Sequence, residues 1–233
     1  RKNKPVLDDI VIKGEVVEWA NSYKYLGVVI DDKLTWKNNT DHIIKKVHSR
    51  LFCLRKLRAF NVQQELLQMF YTSIVCSVMT FGMTCWGGNI SGQDRNRLNK
   101  NIKKASGVVG RKQDDVETMY QRLVTHKLTS VLADDTHPLR PEFDSRRMDR
   151  SGRFRVPKTR TTRYKHSFIP TAIQTFNQHK GRWDVPAPGP LSLMPVILYI
   201  CMTCDLCVCG LNACAYIYCL NLFGSFTLDS YLW

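Results

Sequence analysis

Among the adjacent aspartate pairs, Asp31-Asp32, Asp114-Asp115 and Asp134-Asp135 are the first side chains to weigh for chemistry. Carboxylates that hold two divalent ions beside a primer end would make a polymerase. Adjacency argues against that role, because neighbouring side chains usually point apart. Asp31-Asp32 ends a strand-like run, where aspartate serves the turn. Asp114-Asp115 stands where a helix should begin, so capping accounts for it. The histidines are His42, His48, His126, His137, His166 and His179, and none forms a His-Glu-x-x-His pair. His137-Pro138 follows Asp134-Asp135 with the wrong order and spacing for a facial triad of iron ligands. The chain has no glycine-rich phosphate cradle and no nucleophile elbow. Cys201-x2-Cys204-x2-Cys207-x-Cys209 offers thiolate ligands, but its flanks, 196–200 and 213–222, are apolar where a zinc site usually has polar turns.

What remains is charge. The formal net charge is +14 over 233 residues. Residues 1–180 hold 33 basic and 17 acidic side chains, a balance of +16, against one basic and three acidic beyond them, a balance of −2. Such a body favours a polyanion through phosphate contact and counterion release. The competing reading is a basic soluble domain whose charge is incidental. Within 42–58, Lys45, Lys46, Arg50, Arg55, Lys56 and Arg58 occur with no acid. They form no single stripe: at about 100° per residue, Lys45 and Lys56 oppose the apolar arc, while Arg50 and Arg58 flank it. A second cluster holds Arg146, Arg147, Arg150, Arg153, Arg155, Arg163 and Lys165. These residues are the candidate nucleic-acid contacts. The predicted partner is an RNA or DNA backbone.

The elements that would carry these cations follow from periodicity. Val6–Ile12, a Lys13-Gly14 turn, Val16–Trp19 and Tyr23–Ile30 predict two or three strands, with Gly27 marking a bulge or a close backbone approach. So few strands need a covering element. A helix starts near Asn39-Thr40-Asp41, any of which could cap it, and Ile44, Val47, Leu51, Leu54 and Leu57 recur to about Phe60. A second, apolar around most of its circumference, runs from about Gln63 to Met79 and should be central. Trp86 reads as a packing anchor rather than a base-stacking platform. A third helix occupies Gln93–Ala105 and a fourth spans Asp114–Leu132, with Met119, Leu123, Leu128 and Val131 facing the core. From His137 to Lys180 pattern is lost. That stretch reads as a basic arm ordered on a partner, with Tyr164, Phe168, Ile169, Ile173 and Phe176 able to dock back as an apolar clasp. Cys53, Cys76 and Cys85 read as core thiols of an intracellular, nuclear or cytoplasmic, protein.

The expected fold class is α+β: short N-terminal strands over 1–36, a mainly helical bundle over 37–134, and an irregular basic tail over 135–180. Residues 181–233 read as an apolar Cys-rich extension, not a domain. Within it, 206–228 carry no charge and are long enough to span a bilayer. Asn212, Asn221 and Gly210 argue against that, so a membrane contact through 191–228 is the lesser expectation. The chain starts at Arg1 with no Met and reads as an internal piece of a longer product.

Three blocks carry a family resemblance: Tyr25-Leu26-Gly27-Val28 with Leu34-Thr35-Trp36 and His42; Leu54-Arg55-Lys56-Leu57 through Phe70-Tyr71-Thr72-Ser73-Ile74 to Trp86-Gly87-Gly88; and Asp135–Leu139, Ser151-Gly152-Arg153, Arg163–Ile173 and Phe176-Asn177. In this order they resemble the C-terminal, post-catalytic part of a non-LTR (LINE-type) retrotransposon reverse transcriptase. The resemblance implies the end of a palm-like region over 1–36, a thumb-like helical domain that grips template–primer phosphates, and a basic arm. It implies an upstream polymerase domain as neighbour and an RNA–DNA heteroduplex as ligand. No catalytic residue carries over and no cofactor is expected in this stretch; Mg2+ is implied only for the missing palm. Residues 42–86 also resemble the helical module that precedes the RNA-binding domain in tRNA-modifying AlkB homologues. That family's iron and 2-oxoglutarate ligands have no matching motif here. The alternative expectation is therefore a helical protein- or RNA-interaction module without oxygenase or methyltransferase domains.

Overall fold

The computed structural model describes residues 10–148 and 152–178. Expectations on Val6, Arg150, the cysteines from Cys201 onward and the 191–228 segment lie outside the described residues. The described chain opens with short strands, continues as a mainly helical bundle and ends in a helical arm packed on that bundle.

The strands form two antiparallel hairpins, not one sheet. β1 (Val11–Ile12) pairs with β2 (Glu15–Val16), and β3 (Ser22–Tyr25) with β4 (Val28–Asp31). The Tyr23–Ile30 run is thus a hairpin instead of the single strand its β-branched content predicts. Its two-residue turn, Leu26-Gly27, has positive φ at both positions, 45° and 85°. That matches the primed turns that suit the twist of paired strands. Gly27 also makes the close approach foreseen for it: a Cβ there would sit 3.1 Å from the Phe81 ring. The bulge does not form. The covering element is helix α1, which packs on β4, while all four residues of β3 stay exposed.

α1 (Lys37–Ala59) begins two residues before the predicted caps, and none of those caps it. Its start is fixed instead from β4. The Asp31 carboxylate accepts from the Lys33, Thr35 and Trp36 amides and from the Thr35 hydroxyl at 2.8–3.1 Å. Burial pushes the Asp31 carboxyl up, yet those donors outweigh it and hold the group below the ordinary carboxylate range. Asn39 accepts from the Val29 amide at 3.1 Å and ties helix to strand. At the other end Asn61 (φ 56°) donates to the Arg58 carbonyl and Val62 to Leu57. This is a Schellman stop, with asparagine in the left-handed position.

α2 (Gln64–Phe70) continues through a π-helical segment, Tyr71–Cys76, into α3 (Ser77–Thr80). Leu67, Phe70, Tyr71, Val75 and Met79 are buried. Leu66 and Met69 are exposed, so this helix is not enclosed on every side as its composition predicts. α4 (Met83–Trp86) and a 3-10 turn (Gly87–Asn89) follow. Trp86 is 0% exposed and its Nε1 donates to the Phe81 carbonyl at 2.9 Å, which makes it the packing anchor expected.

α5 (Gly92–Val109) is capped by Ser91, which accepts from the Asp94 amide at 3.1 Å, and it stops at Gly110 in the left-handed conformation. α6 (Val116–Ala133) is capped by Asp115 through the Thr118 amide at 2.8 Å. Met119, Leu128 and Val131 are buried and Leu123 packs partly against the core. The arm that follows is irregular over 145–148 and 152–161 and helical on either side. Its helices are α7 (Arg140–Asp144), α8 (Thr162–Lys165) and the eleven-residue α9 (Phe168–Gln178). α9 packs on α6. Phe143, Phe154, Phe168 and Phe176 build an edge-to-face and tilted cluster with centroids 4.7–6.4 Å apart. Ile173 is buried, and Phe168, Ile169 and Phe176 pack against the core, so most of the expected clasp docks; Tyr164 is 38% exposed. The short 3.6-period signal of α9 was masked by the surrounding prolines and arginines.

Of the three thiols read as core, Cys85 is exposed and is a correction; Cys53 and Cys76 are half-buried, and all three are free. Burial pushes the Cys76 thiol up to about 11, beside the Met119 sulfur at 3.6 Å. No single helix among the described residues is long and apolar enough to cross a membrane. One bent pair, Gln64–Thr80 with Met83–Asn89, passes on length and composition alone.

Candidate nucleic-acid interface

The aspartate pairs serve the backbone. In each, one member is a cap or turn acceptor: Asp31 as above, Asp115 for Thr118, and Asp134 for the Thr136 amide and hydroxyl at 2.9 and 2.6 Å. Hydrogen bonds from the Thr118 and Thr136 side chains and amides hold Asp115 and Asp134 below the ordinary carboxylate range. Their neighbours Asp114 and Asp135 pair with Arg122 and Arg140. His137 accepts the Leu139 amide at 3.1 Å through Nδ1, and its Nε2 lies 3.1 Å from the Lys127 ammonium. No group of three or more His, Cys, Asp or Glu side chains among the described residues could hold a metal ion.

The cations of α1 divide by position. Arg50 turns inward and its Nη1 donates to the Ile74 carbonyl at 2.7 Å. Ile74 lies in the π-helical segment, and its carbonyl also accepts from the Ser77 hydroxyl at 3.3 Å. Arg50 is therefore engaged by the fold. Lys46 is half-buried and has a partner of its own. Lys45, Arg55, Lys56 and Arg58 are exposed. Lys56 lies over the Phe52 ring at 5.6 Å from its centroid.

The second cluster belongs to the arm. Arg146 pairs with Glu142 at 2.5 Å, and Arg163 donates to the Lys33 carbonyl at 2.6 Å. Arg147, Arg153, Arg155, Arg163 and Lys165 are all exposed. The Asn177 amide accepts from the Phe154 amide at 3.0 Å and donates to its carbonyl at 2.8 Å, holding the arm as a paired strand would.

α5 supplies what the sequence left scattered. It packs along α1. Arg97 reaches Asp41 near the start of α1 at 2.7 Å, and Gln64, just past its end, donates to the Val109 carbonyl at 3.1 Å. The two helices thus run in the same direction. Together they contain two acids, Asp41 and Asp94, and Arg97 binds both. Those hydrogen bonds, Asp41 first, raise the Arg97 pKa above its ordinary value. With both acids occupied, Lys45, Arg55, Lys56, Lys100, Lys103 and Lys104 are exposed and pair with no carboxylate among the described residues. A cation count along single helices could find Lys100, Lys103 and Lys104, but not that α5 sets them beside α1.

Residues 36–77 match the family model described as "Alkylated DNA repair protein alkB homolog 8, N-terminal". The match spans α1, the Schellman link, α2 and the π-helical segment. It covers too little of the chain to assign a family. No curated protein and no solved structure matches.

Proposed function

We propose that this chain is a helical interaction module of the AlkB N-terminal type whose ligand is a nucleic-acid backbone, and that it contributes no chemistry of its own to that contact. The observation that carries the reading is the α1–α5 face, where one arginine occupies both acids and leaves Lys45, Arg55, Lys56, Lys100, Lys103 and Lys104 with no carboxylate partner among the described residues. Uncompensated surface cations concentrate counterions that a phosphate backbone displaces. The family match supports the helical-module part, since it includes all of α1. Titration of the full chain with labelled single-strand, duplex and heteroduplex oligonucleotides at two salt concentrations tests it. Log affinity should fall linearly with log salt, by roughly 0.7 per phosphate contact on single strands and 0.9 on duplex DNA. Failure to bind any of them in dilute buffer would leave a protein-interaction module.

A second reading, a post-catalytic reverse-transcriptase segment gripping template–primer, is favoured by one observation. The blocks that carry that resemblance pack as one body: Gly27 against Phe81, Trp86 in the core, and Gly88 against the His166 carbonyl. In that reading an upstream polymerase domain supplies the Mg2+ chemistry, and heteroduplex is the preferred ligand in the same titration.

A further inference from the structure

Phe52 is 57% exposed in the middle of α1. Its position lies opposite the buried arc of Val47, Leu51 and Leu54, so packing of the bundle does not require an aromatic there. Its surroundings are cationic on both sides. Lys56 covers the ring one turn later. His48 stands one turn before it, and Lys45 about 10 Å back along the axis. Arg55 is three residues on, and all four are exposed. Starting from the Asp41–Arg97 pair and stepping seven residues along both helices brings His48 level with Lys104. Lys100 lies one turn earlier on α5.

We infer that this face takes a single strand of RNA or DNA, with one base stacked on Phe52 and the flanking phosphates on Lys45, Arg55, Lys56 and the α5 lysines. The inference rests on the nucleic-acid reading above and narrows it to unpaired polynucleotide. The argument is complementarity. An acidic protein surface would pair the lysines and leave the ring wet. An apolar surface would cover the ring and strand the lysines without counter-charge, which is costly. A single strand offers a flat apolar face and an anion in each repeat, and stacking on an aromatic tolerates any base. In a duplex the bases are stacked on each other and present no free face.

The test uses the full chain, a labelled oligodeoxyadenylate of about 15 nucleotides, an abasic strand of the same length, a blunt heteroduplex, and vesicles of mixed phosphatidylserine and phosphatidylcholine. The wild type should bind the base-bearing strand on the order of 10-fold tighter than the abasic strand or the heteroduplex. Phe52→Ala should remove that advantage while leaving abasic affinity and the salt slope unchanged. Lys45→Gln with Lys56→Gln should weaken both strands and flatten the slope. Because Phe52 is exposed, its removal leaves the core intact, and unchanged thermal unfolding checks this. Equal affinity for abasic and base-bearing strands, tighter heteroduplex or vesicle binding, or an inert Phe52→Ala overturns the inference while the polyanion reading stands. Binding to no oligonucleotide at all overturns that reading as well.

Discussion

Asp31 illustrates how a carboxylate that invites a metal reading is consumed by the backbone. Three amides and one hydroxyl converge on it where β4 turns into α1. Replacing it with alanine removes the charged acceptor that those donors share, and we expect a loss of about 1–3 kcal/mol at pH 7. The pH dependence has a definite sign. The folded carboxyl titrates below the ordinary value, so its stabilisation is complete above about pH 4, near the unfolded value. It is lost as pH falls through the folded one. Urea unfolding of the wild type and Asp31→Asn should therefore show a gap at neutral pH that narrows on acidification. A gap independent of pH would refute this account.

The helix from Gln64 to Thr80 shows what one side chain can do for an element. The Ile74 carbonyl in the π-helical segment accepts from Arg50, which reaches across from α1, and from the Ser77 hydroxyl. Arg50→Met keeps most of the stem and removes the donor, so it should cost about 1–3 kcal/mol. Amide exchange should rise within 71–76 and leave α6 protected. The same guanidinium was a candidate phosphate contact on sequence grounds. If Arg50→Met weakened oligonucleotide binding at unchanged stability, its inward role would be the lesser one. The continuous apolar pattern of 63–79 predicts a uniform α-helix, because apolar residues on nearly every side hide the wider π turn, which buries Leu67, Tyr71, Val75 and Met79 at intervals of four.

Across the whole molecule, the arm and the bundle meet at positions nearly eighty residues apart. A Cβ on Gly88 would fall 2.1 Å from the His166 carbonyl and 2.6 Å from the Tyr120 hydroxyl. Backbone cannot yield there as a flexible side chain would. Gly88→Ala should therefore lift the arm from the 3-10 turn, open 161–178 to limited proteolysis, and lower the unfolding midpoint by several degrees. Unchanged protease resistance would show that the Phe143–Phe154–Phe168 cluster and the packing of α9 on α6 hold the arm without that fit.

Local rules were enough to read the α+β class, the Lys13-Gly14 turn, the cores of the first, third and fourth helices, and the Asp114-Asp115 cap. Each depends on neighbours within a turn or two, and so does the surplus of positive charge. The Leu26-Gly27 hairpin, the π-helical segment, the docking of α9 and the exposure of Cys85 depend on partners far along the chain, which periodicity does not encode. The candidate face shows the same division. Its cations are visible one by one, but whether they oppose a phosphate depends on Arg97 reaching both Asp41 and Asp94, and on α5 lying beside α1. Charge is carried by residues; an uncompensated field is a property of their arrangement in space.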